Sequence, residues 1–237
     1  MMSDTIYTVD VAKIALNKWI VDHCLEPGSK LPSERALCDA LNVKRMTLRQ
    51  ALLSLESDSI IFRKDRRGWF MTPARFIYNP KSSSSFLVSA EEQGRLPSWG
   101  YLSKESLYDY DERFAKIFFG GKNNPMYKIT GWGALDDHKV FYHETYINPD
   151  YAPNFIDHIG NDSLQTLWQT RFAQTVSTKH LTFSPVRVGT DICRHLGCAP
   201  GSPAILVEKH RANADGIVVH IDIEYWRFES VDFVIHL

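Results

Sequence analysis

Residues 31–71 constrain the fold of this chain more than any other stretch, because three motifs follow one another there at short spacing. They are Leu-Pro-Ser-Glu-Arg at 31–35, Asn-Val-Lys-Arg-Met-Thr-Leu-Arg-Gln-Ala-Leu at 42–52, and Phe-Arg-Lys-Asp-Arg-Arg-Gly-Trp-Phe-Met at 62–71. Apolar residues recur at helical spacing around the first two motifs. The stretch predicts a helix-turn-helix followed by a small basic hairpin, an arrangement that places one helix in a groove of DNA.

The same periodicity predicts the individual elements of this N-terminal region. Ser33 stands where a helix N-cap is needed, and Glu34 lies beside the positive end of the helix that follows. The predicted helices cover Thr8–Asp22, Ser33–Leu41 and Lys44–Ser57, and the predicted strands cover Ile60–Arg63 and Trp69–Thr72.

Cationic residues concentrate in this region and not in the chain as a whole. Residues 44–67 contain seven Lys or Arg and three Asp or Glu, a net charge of +4, whereas the whole chain carries −1. Arg45, Thr47 and Arg49 lie off the apolar face of the third helix near its start, where a recognition helix meets bases and phosphates. A focused basic surface is predicted, and a general polycation is not.

The tip of the predicted hairpin is the second cationic feature. Gly68 allows the backbone to turn and to approach DNA closely. Arg66 and Arg67 precede it, and an arginine pair at such a tip is suited to a minor groove, where the negative potential is strong.

These motifs resemble the winged helix-turn-helix of GntR-type bacterial repressors. The resemblance rests on residues 32–35, on the run from Arg45 to Leu52, and on Arg67-Gly68-x-Phe70, which occur in the same order and at similar spacing. The resemblance and the charge pattern together imply a DNA contact set of Arg35, Lys44, Arg45, Thr47, Arg49, Arg66, Arg67 and Gly68.

At 237 residues the chain is long enough for two domains. We predict a DNA-binding domain over residues 1–72, a linker over 73–85, where prolines and serines replace the apolar periodicity, and a second domain over 86–237. No run of about 18 apolar residues suggests a membrane span, and the N-terminus does not resemble a signal peptide. A cytoplasmic protein without membrane contact is expected.

The second domain is predicted to be α+β and dominated by antiparallel hairpins. Two apolar runs, 126–135 and 141–148, flank Asp136-Asp137-His138, and two more, 204–213 and 218–229, flank the turn signal Asp215-Gly216. Short helices are predicted between the strands, and a final strand over 233–236.

This half resembles the effector-binding UTRA domain of the HutC branch of GntR regulators, which has a chorismate-lyase-like fold. The matching stretches are residues 140–146, 162–164, 197–206, 215–216 and 225–227. The resemblance implies a pocket for a small-molecule effector. The residues that it places near that pocket are Glu144, Tyr146, Ser163, Tyr225 and Arg227.

Alternation along His220-Ile-Asp-Ile-Glu224 adds Asp222 and Glu224 to the candidate pocket, because the three polar residues share one face of a strand. Two carboxylates in a pocket favour a ligand amine, such as an aminophosphonate or another amine-bearing zwitterion. The alternative is a half-exposed strand with a solvated polar face. Gly131 and Gly133 stand where sugar-phosphate-binding relatives commonly carry arginines, which argues against a phosphosugar, although Lys128 or Arg95 could substitute for those arginines.

No cofactor or metal site is predicted. The four cysteines, at 24, 38, 193 and 198, are expected to be reduced thiols. Cys193, His195 and Cys198 admit a metal site, but an apolar pair and a glycine stop around them favour a short packed helix.

Three functions are consistent with the sequence. The first is a transcriptional repressor that binds operator DNA as a homodimer under the control of a metabolite. The second is a chorismate-lyase-type enzyme with an accessory DNA-binding head, for which no catalytic set is evident. The third is an architectural DNA protein, which a neutral chain with a large second domain does not favour.

Overall fold

A computed structural model describes residues 8–64, 67–82, 85–160 and 162–235. By its internal contacts the chain divides into two compact units. The first comprises residues 1–75 with 228–230, and the second comprises 76–227 with 231–237.

The first unit contains three helices and a two-stranded hairpin. Thr8 and Ser33 cap the first two helices through side-chain oxygens that accept backbone N–H groups, and the cap at Ser33 is the one that the sequence predicts. The elements are α1 (Val9–Asp22), α2 (Glu34–Leu41), α3 (Arg45–Ser57), β1 (Ile61–Lys64) and β2 (Gly68–Met71).

The three helices and the hairpin share one apolar core. Leu16 of α1, Leu37 of α2 and Leu52 of α3 are fully buried against one another and against Trp69 of β2. The indole N–H of Trp69 also donates to the Glu34 carboxylate at 3.2 Å. The hairpin is therefore held to α2 by both packing and a hydrogen bond.

The second unit is built on a six-stranded antiparallel sheet in the order β4-β5-β6-β9-β8-β7. Its strands are β4 (Pro97–Leu107), β5 (Met126–Leu135), β6 (His138–Ile147), β7 (Ser177–Arg187), β8 (Pro203–Ala212) and β9 (Val218–Arg227). Two short strands, β3 (Phe76–Tyr78) and β10 (Val231–Phe233), pair in parallel beside it. The helices are α4 (Phe86–Glu92), α5 (Glu112–Phe119), α6 (Leu164–Phe172) and α7 (Thr190–Leu196), with a single 3-10 turn at Phe155–His158.

The two faces of the large sheet carry different layers. On one face, Phe114 and Phe118 of α5 pack on Tyr146, Ile221 and Ile223. On the other face there are two separate apolar clusters. One centres on Trp168 of α6 and Phe155, and the other joins Phe76, Tyr78 and Trp226.

The α+β fold and the main hairpins are confirmed, and three details differ from expectation. Phe76–Tyr78, inside the segment predicted as a linker, is a strand. It forms by pairing in parallel with Val231–Phe233, about 155 residues later in the chain, so no local pattern indicates it. The final strand spans Val231–Phe233 in place of 233–236, and His236 lies outside the described residues. The strand that the sequence predicts near Tyr101–Tyr108 is β4, which begins four residues earlier, at Pro97.

The buried face of α3 is tested by two neighbouring leucines. Leu52→Ala should lower the free energy of unfolding by about 2–5 kcal/mol, because the side chain is fully buried and its removal leaves a cavity. Leu53→Ala is the matched control: Leu53 is 41% exposed, and its truncation should cost less than about 0.5 kcal/mol. Urea denaturation followed by circular dichroism measures both. Equal losses would contradict the orientation of α3.

Candidate functional site

The N-terminal end of α3 presents the cationic surface that the sequence predicts. Arg45 and Arg49 lie one helical turn apart and are both exposed, and the Arg45 side chain is 80% exposed. Lys44 is exposed at the N-cap, and Thr47 is half-buried beside them. Within the described residues the helix begins without a side-chain cap. Its first N–H groups and its positive dipole end therefore favour an anion such as a DNA phosphate.

The hairpin supplies the second part of this surface. Arg67 is exposed at the turn, and Gly68 has a φ of +96°, a conformation that side-chain-bearing residues rarely adopt. Arg66 lies outside the described residues. Arg35 is exposed on α2. The described members of the predicted DNA contact set are thus on the surface of one compact unit.

Glu34 connects the parts of this surface. One carboxylate oxygen accepts the Trp69 indole N–H, and the other lies 4.0 Å from Arg45 Nε. A single carboxylate thereby ties α2 to the hairpin and lies close to α3. The sequence predicts only that Glu34 interacts with the positive end of α2. Its contacts with Trp69 and Arg45 are seen only in the tertiary structure.

The second unit contains a cavity of about 150 Å³ on the sheet face that carries His220, Asp222 and Glu224. It lies between the two apolar clusters of that face. Its walls come from the strands β3, β4, β5, β6, β8 and β9, with Tyr78 contributed by β3 and Trp132 by β5. Residues at the starts of α4 and α6, among them Ser85 and Ser163, complete the lining.

Two ion pairs line this cavity. Lys209 Nζ contacts the Glu224 carboxylate, and Arg211 Nε donates to Asp222 Oδ2 at 3.0 Å. Lys209 is 1% exposed, so its charge is almost fully removed from water. Since an unpaired charge at this depth would be strongly destabilising, each carboxylate is matched by a cation from the neighbouring strand.

A chain of hydrogen bonds extends the Asp222 pair across the sheet. The Trp168 indole donates to His220 Nδ1 at 3.0 Å, and His220 Nε2 lies 2.8 Å from Asp222 Oδ1. Thr145 Oγ1 donates to the same carboxylate oxygen at 2.8 Å. Because Nδ1 accepts from tryptophan, the ring proton belongs on Nε2, and the neutral imidazole satisfies both of its partners.

Burial sets the ionisation of this network. It lowers the pKa of His220 and of His143, more strongly than the nearby carboxylates raise them. Burial by itself would raise the pKa of Asp222, but the His220 N–H and the Arg211 guanidinium hold that pKa well below its usual value. Burial likewise opposes the charge on Lys209, but Glu224 outweighs it and raises the pKa of Lys209.

Gly131 and Gly133 of β5 form the floor beneath two rings that line the cavity. A Cβ on Gly131 would collide with His143 Nε2 and would lie 2.7 Å from the Gly100 carbonyl oxygen. A Cβ on Gly133 would collide with the Phe141 ring. The two glycines are therefore required by ring packing, and the rings occupy the space that longer side chains on β5 would need.

The structure divides the predicted effector-binding residues between the two sheet faces. Ser163, Asp222 and Glu224 line the cavity. The side of the sheet opposite to the cavity carries Glu144, Tyr146, Tyr225 and Arg227. Glu144 there accepts the Tyr142 and Tyr146 hydroxyls at 3.2 and 2.7 Å, and Arg227 is buried and donates to the Leu196 carbonyl. Strand alternation explains the division, since residues 144, 146, 225 and 227 have the wrong parity for this cavity.

One expectation about the 220–224 strand is corrected. The solvated polar face does not exist, because His220, Asp222 and Glu224 are at most 8% exposed. Lys209 and Arg211 pair with the two carboxylates. Sequence reasoning missed that Lys209 and Arg211 alternate with Glu208 and His210 along one strand. This alternation places the two cations on the same sheet face, where they can pair with the carboxylates.

The described residues contain no group of three His, Cys, Asp or Glu side chains that is placed to hold a metal ion. All four cysteines are free thiols, and Cys193 donates to the backbone carbonyls of Val188 and Ala199, which flank α7. Among the described helices, none is long and apolar enough to cross a membrane.

The neutral, buried His220 predicts acid sensitivity. Below about pH 6.5 the unfolded chain binds a proton at this residue and the folded chain does not, so the free energy of unfolding falls as the pH falls. Asp222, whose folded pKa is depressed, adds stability that is lost only below about pH 4. His220→Gln should reduce the loss between pH 6 and 5 by about 1 kcal/mol.

Urea denaturation at pH 7.5, 6 and 5 measures this difference, with His23→Gln, at an exposed histidine of the first unit, as the control. An unchanged pH dependence in His220→Gln would show that His220 is not held neutral.

Comparison with known proteins matches both units. The model of "bacterial regulatory proteins, gntR family" matches residues 8–71, and the UTRA domain model matches residues 92–232. The HTH-type transcriptional regulator YihL of Escherichia coli K12, described as uncharacterized, is 52% identical over 236 residues, which covers 100% of both chains. The HTH-type transcriptional repressor NagR of Bacillus subtilis is 23% identical over 89% of this chain and 86% of its own length.

Among solved structures, PhnF from Mycobacterium smegmatis is similar with a TM-score of 0.64 at 20% identity, over 95% of this chain and 99% of that one. At this identity the likeness concerns the fold. The family models and the 52% identical relative also show the family to which the chain belongs. This chain belongs to the GntR family of bacterial regulators, in its HutC branch with a UTRA domain, and it is a transcriptional regulator with an N-terminal DNA-binding helix-turn-helix and a C-terminal effector-type domain.

Proposed function

We propose that this regulator is a repressor that binds operator DNA as a homodimer in the bacterial cytoplasm, and that a small metabolite in the UTRA cavity controls its affinity for the operator. The observation that carries the proposal is the cavity itself. It is built from buried, mutually paired polar groups that a packed core would not need, and it leaves room for a small molecule.

Repression is supported by the relatives. NagR of Bacillus subtilis is described as a transcriptional repressor, and a 22% identical Escherichia coli protein as the probable repressor of a fructoselysine utilization operon. The homodimer follows from the helix-turn-helix geometry, since two recognition helices are needed for the two half-sites of a near-palindromic operator.

Control by a ligand requires a preference for one state of the protein. Changing a population from 1:99 to 99:1 takes about 5.5 kcal/mol of differential binding, which two cavities in a dimer would share. The amine-bearing zwitterion predicted from the sequence stays a prediction, and 2-aminoethylphosphonate belongs in any ligand panel.

The direct test is a fluorescence-anisotropy titration of the full chain on DNA from upstream of its own gene. We expect salt-dependent, sequence-preferring binding that the low-molecular-weight fraction of a cell extract weakens. Binding without sequence preference would contradict the operator function. Specific binding that no fraction changes would contradict control by a metabolite.

Arg49 tests the recognition helix. Arg49→Ala should weaken operator binding by about 1–3 kcal/mol if the guanidinium contacts a base, and should lower the salt dependence if it contacts a phosphate. Arg171→Ala, at an exposed arginine of α6 in the other unit, is the matched control and should bind normally. Unchanged affinity and salt dependence in Arg49→Ala would place the DNA interface elsewhere.

Asp222 tests the cavity. Asp222→Asn keeps the size of the side chain and removes the charge that Arg211 and His220 engage, so we expect normal operator binding and loss of release by the extract fraction. Asp157→Asn, at an exposed aspartate near the 3-10 turn, should behave as the unmodified chain. Thermal denaturation verifies that both variants are folded. If the extract fraction still fully releases folded Asp222→Asn from the operator, the cavity does not control DNA binding.

A further inference from the structure

Resting on the function proposed above, we infer that the effector is a small uncharged ring compound with several hydroxyl groups, and that neither a phosphorylated nor an amine-bearing molecule is the preferred ligand. The inference comes from how charge and aromatic surface are distributed in the cavity.

The charges that line the cavity cancel. Lys209 and Arg211 contribute two positive charges, Asp222 and Glu224 contribute two negative charges, and every one of the four contacts a partner of opposite sign. The two histidines of the lining add none at neutral pH, since burial lowers the pKa of both. The cavity therefore has no net charge to offer an ionic ligand.

An ionic ligand would also have to break a pair that already exists. An ammonium group at Glu224 competes with Lys209, whose side chain is 1% exposed. A phosphate at Lys209 or Arg211 competes with the carboxylates in the same way. Either ligand leaves a buried charge without its partner, which is the costly arrangement for charges inside a protein.

Hydroxyl groups do not have this difficulty, because they donate and accept hydrogen bonds without displacing an ion pair. A carboxylate has about four lone-pair directions, and a guanidinium has five N–H donors. Asp222 accepts from three groups, and Arg211 uses Nε on Asp222 and Nη1 on Gln165. In the described part of the chain these pairs thus retain donors and acceptors for hydroxyls.

The neighbouring part of the same sheet face is aromatic and suits the apolar face of a ring. Trp99 and Tyr101 of β4 lie edge to face at 4.8 Å, and Phe141 lies 4.5 Å from Trp226. The register places Trp99, Gly133, Phe141 and Trp226 in one row across four strands. The glycine in that row lets the Phe141 ring lie close to the sheet. An aromatic stretch of the sheet face therefore lies directly beside the charged pairs.

The test uses isothermal titration calorimetry of the full chain with matched ligand sets. The uncharged set is D-glucose, D-galactose, D-mannose, D-fructose and myo-inositol. The charged sets are the hexose 6-phosphates, the 2-amino-2-deoxy hexoses, and the zwitterions glycine and 2-aminoethylphosphonate. We expect at least one uncharged compound to bind, and its phosphorylated and amino counterparts to bind at least about tenfold more weakly.

A charge variant sharpens the result. Glu224→Gln leaves Lys209 unpaired, so the ratio of phosphate to uncharged binding should rise at least about tenfold. Glu208→Gln is the matched control, because Glu208 lies on the opposite sheet face and pairs with Arg113. Its ratio should not change. If Glu224→Gln does not fold, the ligand sets on the unmodified chain decide alone.

The outcomes separate this inference from the proposed function. Tighter binding of a phosphate, amino sugar or zwitterion, or no binding by any uncharged compound, overturns the inference. If such a charged compound releases operator DNA, the proposed function stands and only the inference about the ligand class fails. If an uncharged compound binds and operator affinity does not change, the ligand class stands and the proposed control of DNA binding fails.

Discussion

Pairing of buried charges between β8 and β9 is the constraint on which the UTRA domain depends. Lys209 and Arg211 face Asp222 and Glu224 where the strands are adjacent in the middle of the sheet. Burying four charges is tolerable only when each finds an opposite charge and further hydrogen bonds. A register slip of one residue between the two strands would put the row of cations and the row of carboxylates on opposite faces of the sheet. The ion pairs therefore specify the register of these strands as well as the chemistry of the cavity.

The cavity follows from the same constraint. Paired charges cannot be packed by apolar side chains without losing hydrogen bonds, so the helices of this face cover the sheet in two separate clusters, around Trp168 and around Trp226. Trp168 contributes to both packing and polarity, because its indole holds the His220 ring in one tautomer. The site is preorganised by the groups that surround it, and its glycine floor keeps longer side chains away from it.

The DNA-binding unit relies on a smaller version of the same principle. Glu34 lies at the start of α2, where a carboxylate interacts favourably with the helix dipole, and it also accepts the Trp69 indole N–H. The exposed cations of α3 and the hairpin are thus presented by a rigid support. A neutral chain thereby carries a local basic surface, which favours a defined DNA site over general attraction to nucleic acid.

Much of the fold could be predicted because its signals are local. The N-cap Ser33, the Asp215-Gly216 turn and the period-two alternation of 220–224 are each decided by neighbouring residues. The strand Phe76–Tyr78 could not be predicted, since three residues form a strand only when a distant partner, Val231–Phe233, lies beside them.

The sequence by itself determined the two-domain plan, the third helix with its exposed cations, and the fact that His220, Asp222 and Glu224 point the same way. Only the tertiary structure decided what that direction means. It placed Lys209 and Arg211 opposite the carboxylates, buried the whole row, and turned Glu144, Tyr146 and Tyr225 to the other face. The reason is physical: alternation relates residues within one strand, but the neighbouring strands and the layer above a face are set by contacts between distant parts of the chain.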